Sequence, residues 1–228
     1  MTLRHLEIFS AVCAQESFTR AAEQGYPPAQ CALGYCYEVG SGTAEDKTKA
    51  VEWYEKAAQR GHATAQCNLA YCYEQGIGVQ PNRELYKDYV LKAAETRDPE
   101  ALAEKARLLI KGEDLEPDPK MALDILTDLE ENQTHAVPGM HFLLGYLHEE
   151  GLGTPQDMAL AYQFYIKGAE QDDAKCMNNL GSMYERGTGV AKNLAEAQKW
   201  YERAAELGNE DALANVERVR EKLNTKKK

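Results

Sequence analysis

Most of the usual signs of an enzyme or a membrane protein are missing from this 228-residue chain. No apolar run approaches the roughly eighteen residues needed to cross a bilayer, so no spanning helix is expected. There is no Gly-x-x-x-x-Gly-Lys phosphate loop, no Gly-x-Ser-x-Gly elbow and no Ser-x-x-Lys pair. The commonest sequence grounds for nucleotide hydrolysis or serine chemistry are therefore absent. Basic residues are scarce: 26 Lys and Arg stand against 37 Asp and Glu, giving a net charge of −11. Such a surface repels nucleic acid and anionic membrane and tolerates basic partners. The six cysteines include no Cys-x-x-Cys or Cys/His ligand spacing, which removes the usual zinc patterns. Cys31 and Cys36 recur as Cys67 and Cys72. A spacing of five turns two helical side chains about 140° apart, so neither pair can bridge internally. The opening Met1-Thr2-Leu3-Arg4-His5-Leu6-Glu7 carries an early acid and no small-residue cleavage site. It predicts a cytoplasmic chain with buried free thiols, bridges between neighbouring helices remaining open. His141 and His148 lie seven apart on one helix, but His148 fills a slot that elsewhere holds tyrosine, so a packing role is expected. No catalytic residue, metal or cofactor is predicted.

What the chain does have is a cadence. Gly40-Ser41-Gly42, Gly76-Ile77-Gly78, Gly151-Leu152-Gly153 and Gly187-Thr188-Gly189 each follow an aromatic and an acid, as in Tyr37-Glu38 and Tyr184-Glu185. Self-similarity at such a period signals stacked repeats that bury a shared core. Aligning on the first glycine gives repeats at 29–64, 65–100, 101–139, 140–175 and 176–211. The third is longer, with Asp114 in place of the second glycine and a turn-rich end at Glu131–Gly139.

Each repeat reads as two helices. Ala29, Leu33 and Tyr37 mark the helical period of the first, and Gly40 stops it in the left-handed conformation that glycine takes readily. The second helix begins at one fixed offset, at Asp46, Asn82, Asp118, Asp157 and Asn193, residue types that cap free backbone N–H groups. Trp53-Tyr54, Phe164-Tyr165 and Trp200-Tyr201 then supply bulk beside small residues such as Ala57-Ala58, as interlocking helices need. Gly34, Ala70, Ala106, Gly145 and Gly181 share one position on the first helices and predict close helix–helix approach. Residues 212–224 read as a capping helix with Leu213, Val216 and Val219 on one side, followed by a frayed basic tail to Lys228.

Ala29-Gln30-Cys31-Ala32-Leu33-Gly34 through Gly42, and Asn178-Asn179-Leu180-Gly181-Ser182-Met183-Tyr184-Glu185-Arg186-Gly187, resemble the Sel-1-like repeat, a relative of the tetratricopeptide repeats. The resemblance covers roughly residues 21–215. It implies an all-α, right-handed solenoid of antiparallel helix pairs that scaffolds protein contacts without catalysis. Residues 1–23 are different. Met1 to Phe9 and Ser17-Phe18-Thr19-Arg20-Ala21-Ala22-Glu23 resemble the opening of a LysR-type helix-turn-helix. The segment that would supply its DNA-reading helix is replaced by Gly25-Tyr26-Pro27-Pro28. Residues 1–28 are thus expected to form an N-terminal helical cap, and residual DNA binding is the alternative function.

By the resemblance to tetratricopeptide arrays, the first helices line a concave groove. The positions facing it hold Tyr35 and Glu38, then Asn68, Tyr71 and Glu74, then Tyr146 and Glu149, then Asn179 and Glu185. Asparagines suit an extended peptide backbone because an amide donates and accepts at once. The tyrosines offer area to bury together with a hydroxyl. The four glutamates favour a protein or peptide carrying Lys or Arg. Oligomeric state is not legible.

Overall fold

The computed structural model describes residues 16–112, 114–132 and 137–225. Among these, all regular structure is helical, in twelve helices. They are α1 (Glu16–Glu23), α2 (Pro27–Val39), α3 (Lys47–Ala58), α4 (Ala63–Gln75), α5 (Arg83–Glu95), α6 (Pro99–Lys111), α7 (Pro119–Asn132), α8 (Met140–Glu150), α9 (Met158–Ala169), α10 (Ala174–Arg186), α11 (Leu194–Glu206) and α12 (Glu210–Thr225). The described residues fall into two compact units that divide between Lys105 and Ala106. Within each, consecutive helices pack as antiparallel pairs, α2 with α3 and α4 with α5 in the first, α8 with α9 and α10 with α11 in the second.

Local chemistry sets the turn between the two helices of a repeat. Gly40, Gly76, Gly151 and Gly187 sit at φ near +70 to +80° and end the first helices by returning an N–H to a carbonyl four residues back. All five predicted caps are made. Asp46, Asn82, Asp118, Asp157 and Asn193 each accept a backbone N–H from the first turn of the second helix. The N–H of the same five residues donates to a carbonyl on the first helix, as from Asp46 to Tyr37 O at 2.8 Å and from Asn193 to Tyr184 O at 2.8 Å. One residue thus caps the second helix and ties the connecting loop to the first.

The second glycine of each motif has another task. A Cβ on Gly78 would lie 2.2 Å from the carbonyl oxygen of Lys47. One on Gly153 would lie 2.7 Å from the backbone of Pro119 and Lys120, and one on Gly189 2.3 Å from Met158 O. In each case the neighbour is the backbone at the start of the preceding repeat's second helix. The glycine is where one repeat seats on the last, at a spacing no side chain permits.

Glycines inside the first helices answer to tyrosines in the second. A Cβ on Gly34, Gly145 or Gly181 would meet the ring of Tyr54, Tyr165 or Tyr201 at 2.7, 2.4 and 2.6 Å. Where this glycine becomes Ala70 or Ala106, the residue at the tyrosine position shrinks to Val90 or Leu126. All of these side chains are buried, so volume is conserved across each pair as close packing demands.

At the N-terminal end, α1 packs against α2. The amide of Gln30 donates to Ala22 O at 3.1 Å, and Gln66 repeats the bond one repeat later to Ala58 O at 3.3 Å. The end of α1 therefore holds the place of a second helix. Most of the LysR-like segment lies outside the described residues, as does much of the turn-rich end of the third repeat and the basic tail.

The thiol expectation needs one correction. Cys31, Cys67, Cys72 and Cys176 are free, but Cys36 is disulfide-bonded. A pairing that joins separate segments is beyond what a five-residue helical spacing can exclude.

Candidate functional site

First helices of neighbouring repeats touch one another, α8 with α10 and α10 with α12. Within each unit, side chains on the first-helix face form a ladder one repeat plus one residue apart. Asn68 Nδ2 meets Cys31 Sγ at 3.8 Å and Arg186 Nη2 meets Glu149 Oε1 at 2.9 Å. Asn215 Nδ2 meets Asn178 Oδ1 at 2.8 Å, and Lys222 Nζ meets Glu185 Oε1 at 2.8 Å. This is where the expected groove residues lie.

The tyrosines on it are not alike. Tyr71 is 53% exposed. Tyr35 and Tyr146 are half-buried, and Tyr146 stacks on Phe142 with centroids 6.4 Å apart and planes 13° from parallel. Asn68 and Asn179 are half-buried. Asn68 spends a donor on Cys31, and Asn179 hydrogen-bonds Tyr165.

The glutamates have a structural employment that their spacing concealed. Tyr54 donates to Glu38 Oε2 at 2.6 Å, Tyr165 to Glu149 Oε2 at 2.7 Å and Tyr201 to Glu185 Oε2 at 2.9 Å, always sixteen residues apart. Each buried tyrosine thus satisfies its hydroxyl with the acid of its own repeat. Glu149 and Glu185 are buried at 8% exposure. Arg218 closes on Glu185 through Nη2 at 2.6 Å and Nε at 3.2 Å, and Lys222 adds a second cation. Their hydrogen bonds, Arg218 foremost, hold the Glu185 carboxyl down at about 2. Glu149 and Glu185 therefore meet internal cations, and the basic partner expected from four exposed acids loses half its basis. Glu74 alone of the four is exposed, and its tyrosine position is Val90.

The second helices spend their aromatic residues on packing. Tyr73 stacks on Tyr89 with centroids 5.9 Å apart, and His148 on Phe164 at 5.6 Å. One turn on, a cation covers the outer ring: Lys56 over Trp53 at 3.8 Å, Lys92 over Tyr89 at 5.4 Å, Lys167 over Phe164 at 5.4 Å and Arg203 over Trp200 at 4.8 Å. A cation three residues along the helix can reach the ring face and keep its own charge in water.

His141 is buried between Glu130 Oε2, 2.8 Å from Nε2, and Gln171 Oε1, 3.3 Å from Nδ1, so the two histidines serve separate contacts. Among the described residues no group of three or more His, Cys, Asp and Glu is placed to hold a metal ion. Burial pushes the Cys31 and Cys72 thiols up to about 12 and those of Cys67 and Cys176 higher. All four are protonated at neutral pH and are poor nucleophiles.

Sequence reading missed Tyr54, Tyr165 and Tyr201 as partners of the groove acids, and it missed Arg186, Arg218 and Lys222 altogether. The constant offset of sixteen between acid and tyrosine was available as a signal.

The Sel1 repeat family model matches residues 27–62, 63–95, 99–126, 139–173 and 174–209. A Sel1 repeat protein from Oxalobacter formigenes is 31% identical with a TM-score of 0.76, over 85% of this chain and 76% of that one. A protective antigen of uropathogenic Escherichia coli strains with the same repeat fold is 32% identical with a TM-score of 0.68. That match covers 87% of this chain and 42% of the antigen, so this chain spans less than half of it. An immunity protein from Pseudomonas aeruginosa is 25% identical with a TM-score of 0.53, over 80% of this chain and 67% of that one. No curated protein matches. Among the described residues no helix is long and apolar enough to cross a membrane.

Proposed function

This chain belongs to the Sel1 repeat family, whose members generally scaffold protein interactions, and from that premise we propose that it is a non-enzymatic adaptor whose first-helix face holds a segment of a partner protein. One observation carries the reading. The second-helix aromatics are consumed by packing and by their cation covers, whereas the first-helix face presents Tyr71, half-buried amides and charged groups at repeat spacing. An extended chain laid along the first helices of the first unit would find the Asn68 amide and the exposed Tyr71 ring to cover, and Asn179 offers an amide at the same position of the fifth repeat. Tyrosine suits that use because it buries a large area at small entropic cost and keeps its hydroxyl bonded.

A display selection of random peptides against the full chain tests the reading. Selected peptides should lose about tenfold in affinity on Asn68→Ala or Tyr71→Ala, the size expected when a contact at the centre of an interface is truncated. Tyr71 is half in solvent, so its truncation should leave the helical circular dichroism unchanged. Unaltered affinity in both variants, or failure to select any binder, would contradict the groove.

A further inference from the structure

The two units do not offer a partner the same chemistry. In the first, the face runs through Cys31, Tyr35, Asn68 and Tyr71. In the second, α10 carries Lys175 and Arg186, and α12 carries Arg218 and Lys222, at or beside the ladder. Building on the adaptor reading above, we propose that the face of α8, α10 and α12 binds an acidic segment of its protein partner, whose carboxylates meet those four cations.

Depth of burial decides the sign of this surface. The acids that pair with these cations, Glu149 and Glu185, have side chains only 11% and 9% exposed, whereas Arg186, Arg218 and Lys222 above them are 52%, 47% and 51% exposed. An incoming chain meets the cations. Glu185 holds two of them, so that cluster carries one positive charge in excess of its acid. A guanidinium has five N–H donors and an ammonium three. Arg218 directs Nε and Nη2 to Glu185 and Nη1 to Asn215, and this fixes the plane of the fork. Lys222 gives Glu185 one hydrogen bond, which leaves ammonium donors for a second carboxylate. Lys175 is exposed, its Nζ 5.6 Å from the centroid of the Phe142 ring. Between these charges lie Asn178 and Asn215, joined at 2.8 Å, as amide partners for a backbone.

The net charge of −11 does not oppose this. At physiological salt, charges more than about 8 Å from the contact are largely screened. Exposed acids also stand on these helices, Glu150 at the end of α8 and Glu210, Asp211, Glu217 and Glu221 on α12, and they limit how far along the face the acidic segment can run. In the first unit, the two positions equivalent to Arg186 hold Val39 and Gln75, so the preference belongs to the second unit.

The test is fluorescence anisotropy on the full chain with three labelled peptides in which Gly alternates with Glu, Gln or Lys. The Glu peptide should bind about tenfold more tightly than the Gln peptide and lose about tenfold at 0.3 M salt. Lys175→Glu should weaken it severalfold, and so should Arg186→Gln, which leaves Glu149 its bond from Tyr165. Lys175 holds no internal acid, so its variant reports on binding without unfolding the repeat. Equal affinity for the Glu and Gln peptides, or an unchanged affinity in Lys175→Glu, would overturn the proposal. Basic or neutral binders from the display selection, still weakened by Asn68→Ala or Tyr71→Ala, would overturn it and leave the adaptor reading standing. Absence of any binder would sink both.

Discussion

Gly78→Ala will lower the unfolding free energy by about 3 kcal/mol. Roughly 1–2 kcal/mol comes from placing a Cβ at φ +69°, and a similar amount from forcing it against backbone that cannot swing aside. The obstruction is the Lys47 carbonyl, 2.2 Å from the new atom, with Thr48 N at 2.9 Å. Gly61→Ala is the matched control. It has the same positive φ, at 77°, but nothing within 4 Å of its Cβ, so it should cost only about 1 kcal/mol. Urea unfolding followed by circular dichroism measures both. Equal losses would mean that the second glycine of the motif serves turn conformation alone and has no part in seating one repeat on the next. In a stacked array the loss should also be local, freeing the amides of α3 and α4 to exchange before the rest.

The second large effect is a pH dependence at Glu185. Its carboxyl is held at about 2 against an ordinary 4.5 by Arg218, Lys222 and the Tyr201 hydroxyl, over the opposing effect of burial. The folded-state value is depressed. The stabilisation is therefore fully present above the unfolded value and drains away as pH falls from about 5 to about 2. A gap of this size corresponds to about 3 kcal/mol. Glu185→Gln should be less stable than the natural chain at pH 7 and should converge on it near pH 2, the change appearing first in α10 to α12. Parallel stability curves for the two proteins across that range would contradict the pairing.

Much of the architecture was legible because repetition fixes register. Once Gly40, Gly76, Gly151 and Gly187 are aligned, every second helix starts at the same offset, and all five capping residues read from sequence make their bonds. The small residues at Gly34, Gly145 and Gly181 mark sites of close approach, and the rings they accommodate are those of Tyr54, Tyr165 and Tyr201. The site was less legible because a helical position has two ways to face. Glu149 and Glu185 lie on first helices at positions that address a groove, yet their carboxylates turn inward to hydroxyls sixteen residues away. That choice depends on whether a tyrosine or a valine occupies the facing helix, as Val90 shows for Glu74. The cations of the second unit escaped notice for a related reason. Arg186, Arg218 and Lys222 match no residue of the repeat motif, and their convergence on Glu149 and Glu185 exists only after the helices have stacked. Cys36 makes the same point, since periodicity within one helix says nothing of a bond to another segment.

On the adaptor reading, partners meet the first-helix face while the second-helix layer is occupied with holding the repeats together. Site-specific photo-crosslinking in living cells addresses it directly. A photoreactive phenylalanine analogue replaces Tyr71 or Tyr146 on the first helices, and in separate chains Lys56 or Lys92 on the second. Adducts to a discrete partner are expected from the first pair of positions and none from the second. Adducts confined to Lys56 and Lys92 would contradict it.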